Sequence, residues 1–88
     1  MNVIPKQSAF PTLGAAVLYL NGFHHGKHLD RLNYLSRHKP DWVMRVANNM
    51  WNTRNDEVVG EKSTLDFYAD VLDWAIPDVF TRVLNGDA

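Results

Sequence analysis

The chain has 88 residues, of which 45% are hydrophobic and 22% charged, and its formal net charge at pH 7 is −1. This length and balance predict one folded domain, residues 1–88, with a packed core, and they exclude an intrinsically disordered chain. The small net charge argues against a protein built mainly to bind nucleic acid, and the absence of cysteine excludes disulfides and thiolate zinc sites.

The longest apolar run extends from Leu13 to Leu20. It is much shorter than the ~20 residues that cross a bilayer, and no signal-peptide pattern surrounds it. A chain without cysteine also suits a reducing compartment. We therefore expect a cytoplasmic protein that does not bind membranes.

The N-terminal residues 1–11 contain two prolines and no apolar period, so they predict an extended arm. Thr12 then provides an N-cap for a short buried helix over Leu13–Leu20, which Asn21-Gly22 ends. The same Asn-Gly pair is the strongest short hairpin signal. An α+β fold with an N-terminal hairpin near Asn21-Gly22 is therefore the alternative.

Two amphipathic helices are predicted next. The first covers Lys27–His38, where leucines recur at three-residue spacing on one arc. Pro40 and Asp41 supply start signals for the second, which runs from Asp41 to about Asn52. Its apolar stripe has the spacing i, i+3, i+4, i+7 and is bordered by two tryptophans. The stripe consists of Val43, Val46, Ala47 and Met50, and its borders are Trp42 and Trp51.

The segment Thr53–Lys62 is polar and aperiodic, which predicts a loop. Ser63-Thr64-Leu65-Asp66 then has the pattern of a capping box that opens a fourth helix, ending near Ala75. Pro77 suits the first turn of a final short helix over Asp78–Leu84. The sequence thus predicts an all-α fold, a compact bundle of four to five short helices with an extended N-terminal arm.

His24 and His28 are candidate metal ligands because they stand four residues apart, with His25 and His38 nearby. Zinc needs three or four ligands, and Gly26 interrupts the helix that would align the pair. The sequence also lacks a nucleophile motif, a phosphate-binding glycine loop and a dinucleotide fingerprint. We therefore expect a non-catalytic protein with no metal and no other cofactor.

Three carboxylates of the fourth helix, those of Asp66, Asp70 and Asp73, share a strip about 60° wide. Aspartates at this spacing are common on solvated helix faces, and carboxylates alone do not make an active site. We interpret them as a charged rim that steers a basic partner.

Nucleic-acid binding is the alternative function, because residues 29–51 have the coarse outline of a helix-turn-helix domain. Tyr34 adds an aromatic ring to a basic strip on the first of its two helices. Arg45 is the single cation of the helix that would read bases, and the chain as a whole is slightly acidic, which weakens this alternative. The residues involved would be Lys27, Arg31, Arg37, Lys39 and Arg45.

Large apolar side chains exceed the needs of a small core, since the chain contains three tryptophans, three tyrosines and four phenylalanines. Apolar groups cover about 200° of the third helix and about 220° of the fourth, whereas a surface helix needs an apolar arc of about 100° or somewhat more. One interpretation is that all of these side chains belong to the hydrophobic core. The other is an interface, because Trp, Tyr and Met are enriched at interface centres.

The preferred interpretation is a protein-interaction module that docks onto another protein or onto a second copy of itself. A small regulator or inhibitor of a larger protein, such as a phage or mobile-element accessory protein, is the specific hypothesis. The predicted contact residues are Trp42, Met44 and Trp51, then Phe67 and Trp74, with Asp66, Asp70 and Asp73 as the rim.

Overall fold

Four α-helices make up the described parts of the chain, which are residues 9–54 and 63–86 of a computed structural model. They are α1 (Leu13–Gly22), α2 (Leu29–His38), α3 (Pro40–Asn52) and α4 (Thr64–Leu84). None of these described residues forms a strand, so the all-α prediction is confirmed and the hairpin alternative is wrong. Most of the predicted arm and most of the predicted loop, residues 1–8 and 55–62, lie outside the described residues.

Side-chain caps fix the beginnings of α1 and α4 where the sequence predicts them. Thr12 Oγ1 accepts a hydrogen bond of 3.1 Å from the Ala15 amide. At α4 the Asp66 amide donates to Ser63 Oγ over 3.1 Å, and the Ser63 amide donates to Asp66 Oδ2 over 3.4 Å. These bonds satisfy amide donors that have no partner inside the helix, so the predicted capping box is confirmed.

Two helix boundaries differ from the prediction around the turn that joins α1 to α2. α1 continues through Asn21 to Gly22, and α2 begins at Leu29 instead of Lys27. The turn between them places His25 and Gly26 at positive φ, 54° and 83°. A helix cannot continue through these left-handed conformations, so the residues that precede Leu29 are excluded from α2.

Pro77 does not end a helix, which corrects the prediction of two helices in this region. α4 continues through it from Thr64 to Leu84. Ile76 and Leu72 are buried, and Val79 continues the same core-facing stripe beyond the proline. Packing of this stripe outweighs the ~3 kcal/mol that a proline costs in a helix interior.

The α2–α3 pair occupies the centre of the fold, with the other two helices on either side of it. α1 packs against both α2 and α3, while α4 packs mainly against α2 and does not pack closely against α1. Lys39 alone joins α2 to α3. The buried apolar side chains are Phe10, Ala16, Val17, Leu20, Leu32, Leu35, Val43, Val46, Ala47, Met50, Leu72 and Ile76.

Candidate protein-interaction surface

Three large apolar side chains of α4 face away from the core. Phe67 is 65% exposed, Trp74 is 64% exposed and Val71 is 39% exposed. Their i, i+4, i+7 spacing places them on one side of the helix, roughly opposite Leu72 and Ile76, which are buried. We call this set, Phe67, Val71 and Trp74, the outer face of α4.

The outer face presents two exposed aromatic rings and a valine as one apolar patch. A fully buried aromatic ring withdraws about 150–250 Å² from water, so two rings that are nearly two-thirds exposed leave about 200–300 Å² accessible. Val71 adds further apolar area between them. The largest patch on a typical monomer is about 300–600 Å² and often functional. With Val71 included, the outer face approaches the lower end of that range and has the aromatic composition of a contact site.

Aspartates flank the outer face. Between Thr64 and Asp78, α4 carries four aspartates and neither lysine nor arginine. Asp66 and Asp70 lie within one helical turn of Phe67, and Asp70 and Asp78 each stand four residues from Trp74. The apolar contact area thus has an acidic border, and the Asp66 carboxylate contributes to it while also capping the helix.

The Asp73 carboxylate binds two side chains of the same chain. Its Oδ1 accepts hydrogen bonds from Lys27 Nζ over 3.1 Å and from His28 Nε2 over 2.8 Å. The hydrogen bond from His28, and after it the one from Lys27, lower the pKa of the Asp73 carboxyl below its ordinary value. Asp73 therefore attaches α4 to the start of α2 as a charged group.

Two histidines on the α1–α2 turn complete this attachment. The His28 side chain is 1% exposed, and His24 Nε2 donates a hydrogen bond of 2.8 Å to the carbonyl oxygen of Ala69 in α4. Their rings meet edge to face, with centroids 5.1 Å apart. No group of three or more potential metal ligands occurs among residues 9–54 and 63–86. In the structure these histidines hold α4 in place.

Trp51 lies in an aromatic cluster beside α1. Its ring centroid is 6.2 Å from that of Phe10 and 5.8 Å from that of Tyr19. The Arg54 guanidinium lies 3.9 Å from the Trp51 ring centroid. Burial raises the pKa of the Tyr19 phenol above its ordinary value. Although Trp51 is 37% exposed, its ring thus contacts three side chains of the same chain.

Trp42 and Met44 are both partly buried and packed against the core. Trp42 lies beside Val79 and Arg82 of α4. Trp51 lies on the other side of α3, and the buried stripe of that helix separates the two tryptophans. The structure therefore divides the three predicted α3 residues between the two sides of that helix. It gathers Phe67 and Trp74, the other predicted pair, on one surface.

A shallow groove of about 580 Å³ opens between the start of α3 and the second half of α4. Lys39, Arg45 and Arg82 give it a basic lining, with Asp41 as the acidic member. Arg82 is also paired with Asp78, at 3.1 Å between Nε and Oδ2. The groove is thus only moderately positive.

The residues predicted for nucleic-acid binding do not form one surface. Lys27 is paired with Asp73, and the Arg31 guanidinium lies 5.9 Å from the Phe80 ring centroid at the α2–α4 contact. Lys39 and Arg45 line the groove, and Arg37 is exposed near the end of α2. A helix-turn-helix places three or four residues between its helices, whereas here a single residue joins α2 to α3.

Sequence reasoning missed Val71 as a member of the contact site, although its spacing from Phe67 and Trp74 was a usable signal. It also missed the bond between His28 and Asp73. No local pattern links two residues that are 45 positions apart in the chain. Leu18, 69% exposed on α1, is another apolar group that was expected to be buried.

Comparison of the chain with protein-family models, with curated proteins and with solved structures finds no match. Within the described residues, none of the helices combines the length and apolarity needed to span a membrane.

Proposed function

We propose that the protein is a non-catalytic protein-interaction module that docks onto a larger protein through the outer face of α4. The observation that carries the proposal is the exposure of Phe67 and Trp74, each close to two-thirds accessible, on the side of α4 that faces away from the core. Aromatic side chains at the centre of a contact supply most of its binding energy when a partner removes them from water.

The rest of the fold supports this role by packing against α4 and bonding to it. The core side of the helix is buried against α2, and Asp73 and Ala69 are tied to the turn before α2 by hydrogen bonds from His28 and His24. A preorganised helix loses little conformational entropy when its outer side binds a partner. Regulation or inhibition of a larger protein would follow from covering part of that protein's surface.

The test is affinity capture from the protein's own cells with three immobilised baits: wild type, the double variant Phe67→Ser/Trp74→Ser, and Leu18→Ser. Leu18 is an equally exposed apolar side chain on α1, which does not pack closely against α4, so Leu18→Ser is the matched control. The expected result is a protein retained by wild type and by Leu18→Ser and lost from the double variant. The captured protein, once purified, should also slow hydrogen exchange in α4.

Equal retention on all three baits would show that binding does not use the outer face. Failure of the wild-type bait to retain any protein would also contradict the proposal.

A further inference from the structure

We infer, resting on the proposed function, that the occupant of the outer face is a short amphipathic segment of another protein with Lys or Arg beside its apolar side chains. A second copy of this chain is the competing occupant. Three features of α4 decide between them: the length of the apolar stripe, its area and the sign of the charges beside it.

The apolar stripe is short. Phe67 and Trp74 are seven residues apart, so the stripe extends about 10 Å along the helix, or two turns. Asp78, which comes four residues after Trp74, interrupts the stripe and is paired with Arg82. A segment of a few helical turns is long enough to cover it.

The area is too small for a stable dimer. The two rings of the outer face present about 200–300 Å². A standard stable interface buries about 800 Å² on each partner, and self-association through this patch alone would fall well below that value. A short helical segment that binds through a few spaced anchor side chains is matched to a patch of this length.

The charges oppose self-association and favour a basic partner. A twofold dimer brings the same patch of both copies together, so the acidic borders of the two copies would meet. Like charges brought together at an interface cost free energy, whereas a partner with Lys or Arg at those places gains attraction. Between Thr64 and Asp78, α4 itself supplies four aspartates and neither lysine nor arginine, so the formal charge of this border is negative.

An arginine of the partner could contact the Trp74 indole in addition to being attracted by the acidic border. A guanidinium can lie on the face of a tryptophan, as Arg54 does on Trp51 within this chain at 3.9 Å from the ring centroid. Trp74 offers an exposed indole with aspartates four residues away on either side. The site thus suits an arginine that stacks on the ring within a negatively charged part of the surface.

The experiment selects binders of the full-length protein from a random display library of peptides about 16 residues long, which allows four helical turns. The expected peptides combine apolar residues at helical spacing with an excess of Lys and Arg. Their affinity should fall about thirtyfold or more in Phe67→Ser/Trp74→Ser, as for loss of hot-spot residues. Asp70→Asn should weaken binding about two- to fivefold, and Asp30→Asn, an exposed aspartate of α2, should not.

The other outcomes separate this inference from the proposed function. Peptides that need the outer face but show no excess of Lys or Arg, or no effect of Asp70→Asn, would overturn the basic partner and leave the docking surface standing. A dimer in analytical ultracentrifugation that the double variant abolishes would replace the partner with a second copy. Peptides that bind the double variant as tightly as wild type would overturn both proposals. If the library yields no binding peptide, the inference that the occupant is a short segment would be overturned.

Discussion

His28, buried at the start of α2, donates a 2.8 Å hydrogen bond from Nε2 to Oδ1 of Asp73 in the middle of α4. The bond joins residues 45 positions apart and crosses the contact that orients the outer face of α4. A buried imidazole whose N–H loses its acceptor is left with an unsatisfied donor, which destabilises the folded state. The orientation of α4 therefore depends on this pair as well as on apolar packing.

Replacement of Asp73 tests this dependence. Asp73→Ala removes the acceptor from His28 and the ion pair with Lys27, so we expect a clear fall in the free energy of unfolding. Asp78→Ala is the matched control, because it removes an aspartate of the same helix that pairs with an exposed arginine four residues on. Urea denaturation of both variants and of wild type measures the free energies of unfolding to be compared. Equal losses in the two variants would contradict the structural role of Asp73.

The stability of the fold should depend on acid pH through Asp73. The hydrogen bonds from His28 and Lys27 lower its pKa in the folded state, whereas the unfolded carboxyl titrates near pH 4. Protonation therefore favours the unfolded chain, and the contribution of Asp73 is present above about pH 4 and lost as the pH falls through the folded-state pKa.

Urea unfolding measured between about pH 6 and pH 2.5 tests this dependence. The stability should fall less steeply with acid in Asp73→Asn than in wild type. Parallel curves for the two proteins would contradict the prediction.

Replacement of the outer-face aromatics should leave the fold intact. Phe67→Ser and Trp74→Ser remove mostly exposed side chains, and Ser has a helix propensity close to those of Phe and Trp, so we expect losses of at most about 1–2 kcal/mol each from the covered third of each ring. Ile76→Ala, on the opposite side of α4, should cost about 2–5 kcal/mol because Ile76 is fully buried. Chemical denaturation measures all three. A large loss in either serine variant would mean that the aromatic ring belongs to the core.

Removal of the proline inside α4 should stabilise the protein. Pro77→Ala restores an amide that can donate to the Asp73 carbonyl and removes the ring that opposes the helix, so we expect a gain of about 1–3 kcal/mol. Pro40→Ala is the control, since Pro40 stands at the start of α3, where a proline fits the helix. Thermal unfolding of both variants measures this change in stability. A loss of stability in Pro77→Ala would contradict the expectation.

The sequence predicted those features of the fold that depend on local chemistry. Thr12 and the Ser63–Asp66 pair marked helix starts because their side chains bond to nearby amides. Pro77 misled the prediction, because packing of Ile76 and Val79 on the neighbouring helices outweighs a local helix breaker. Local patterns also contain no information about which distant helix covers a given side.

The candidate site shows the same limit. The excess of aromatic residues is visible in the composition, and it predicts Phe67 and Trp74 as contact residues. Which aromatics are covered depends on tertiary contacts, such as those that Phe10 and Tyr19 make with Trp51. The sequence alone therefore ranked Trp51 above Trp74, whereas the structure leaves Trp74 much the more exposed of the two.

The most direct test of docking through α4 is the fluorescence of Trp74 in a Trp42→Phe/Trp51→Phe background, where it is the only tryptophan. In the free protein its emission should be that of an indole in contact with water, because the side chain is 64% exposed. Addition of the protein captured by the wild-type bait should shift that emission to shorter wavelength as Trp74 becomes buried. Saturating binding without any shift in the emission would contradict the account.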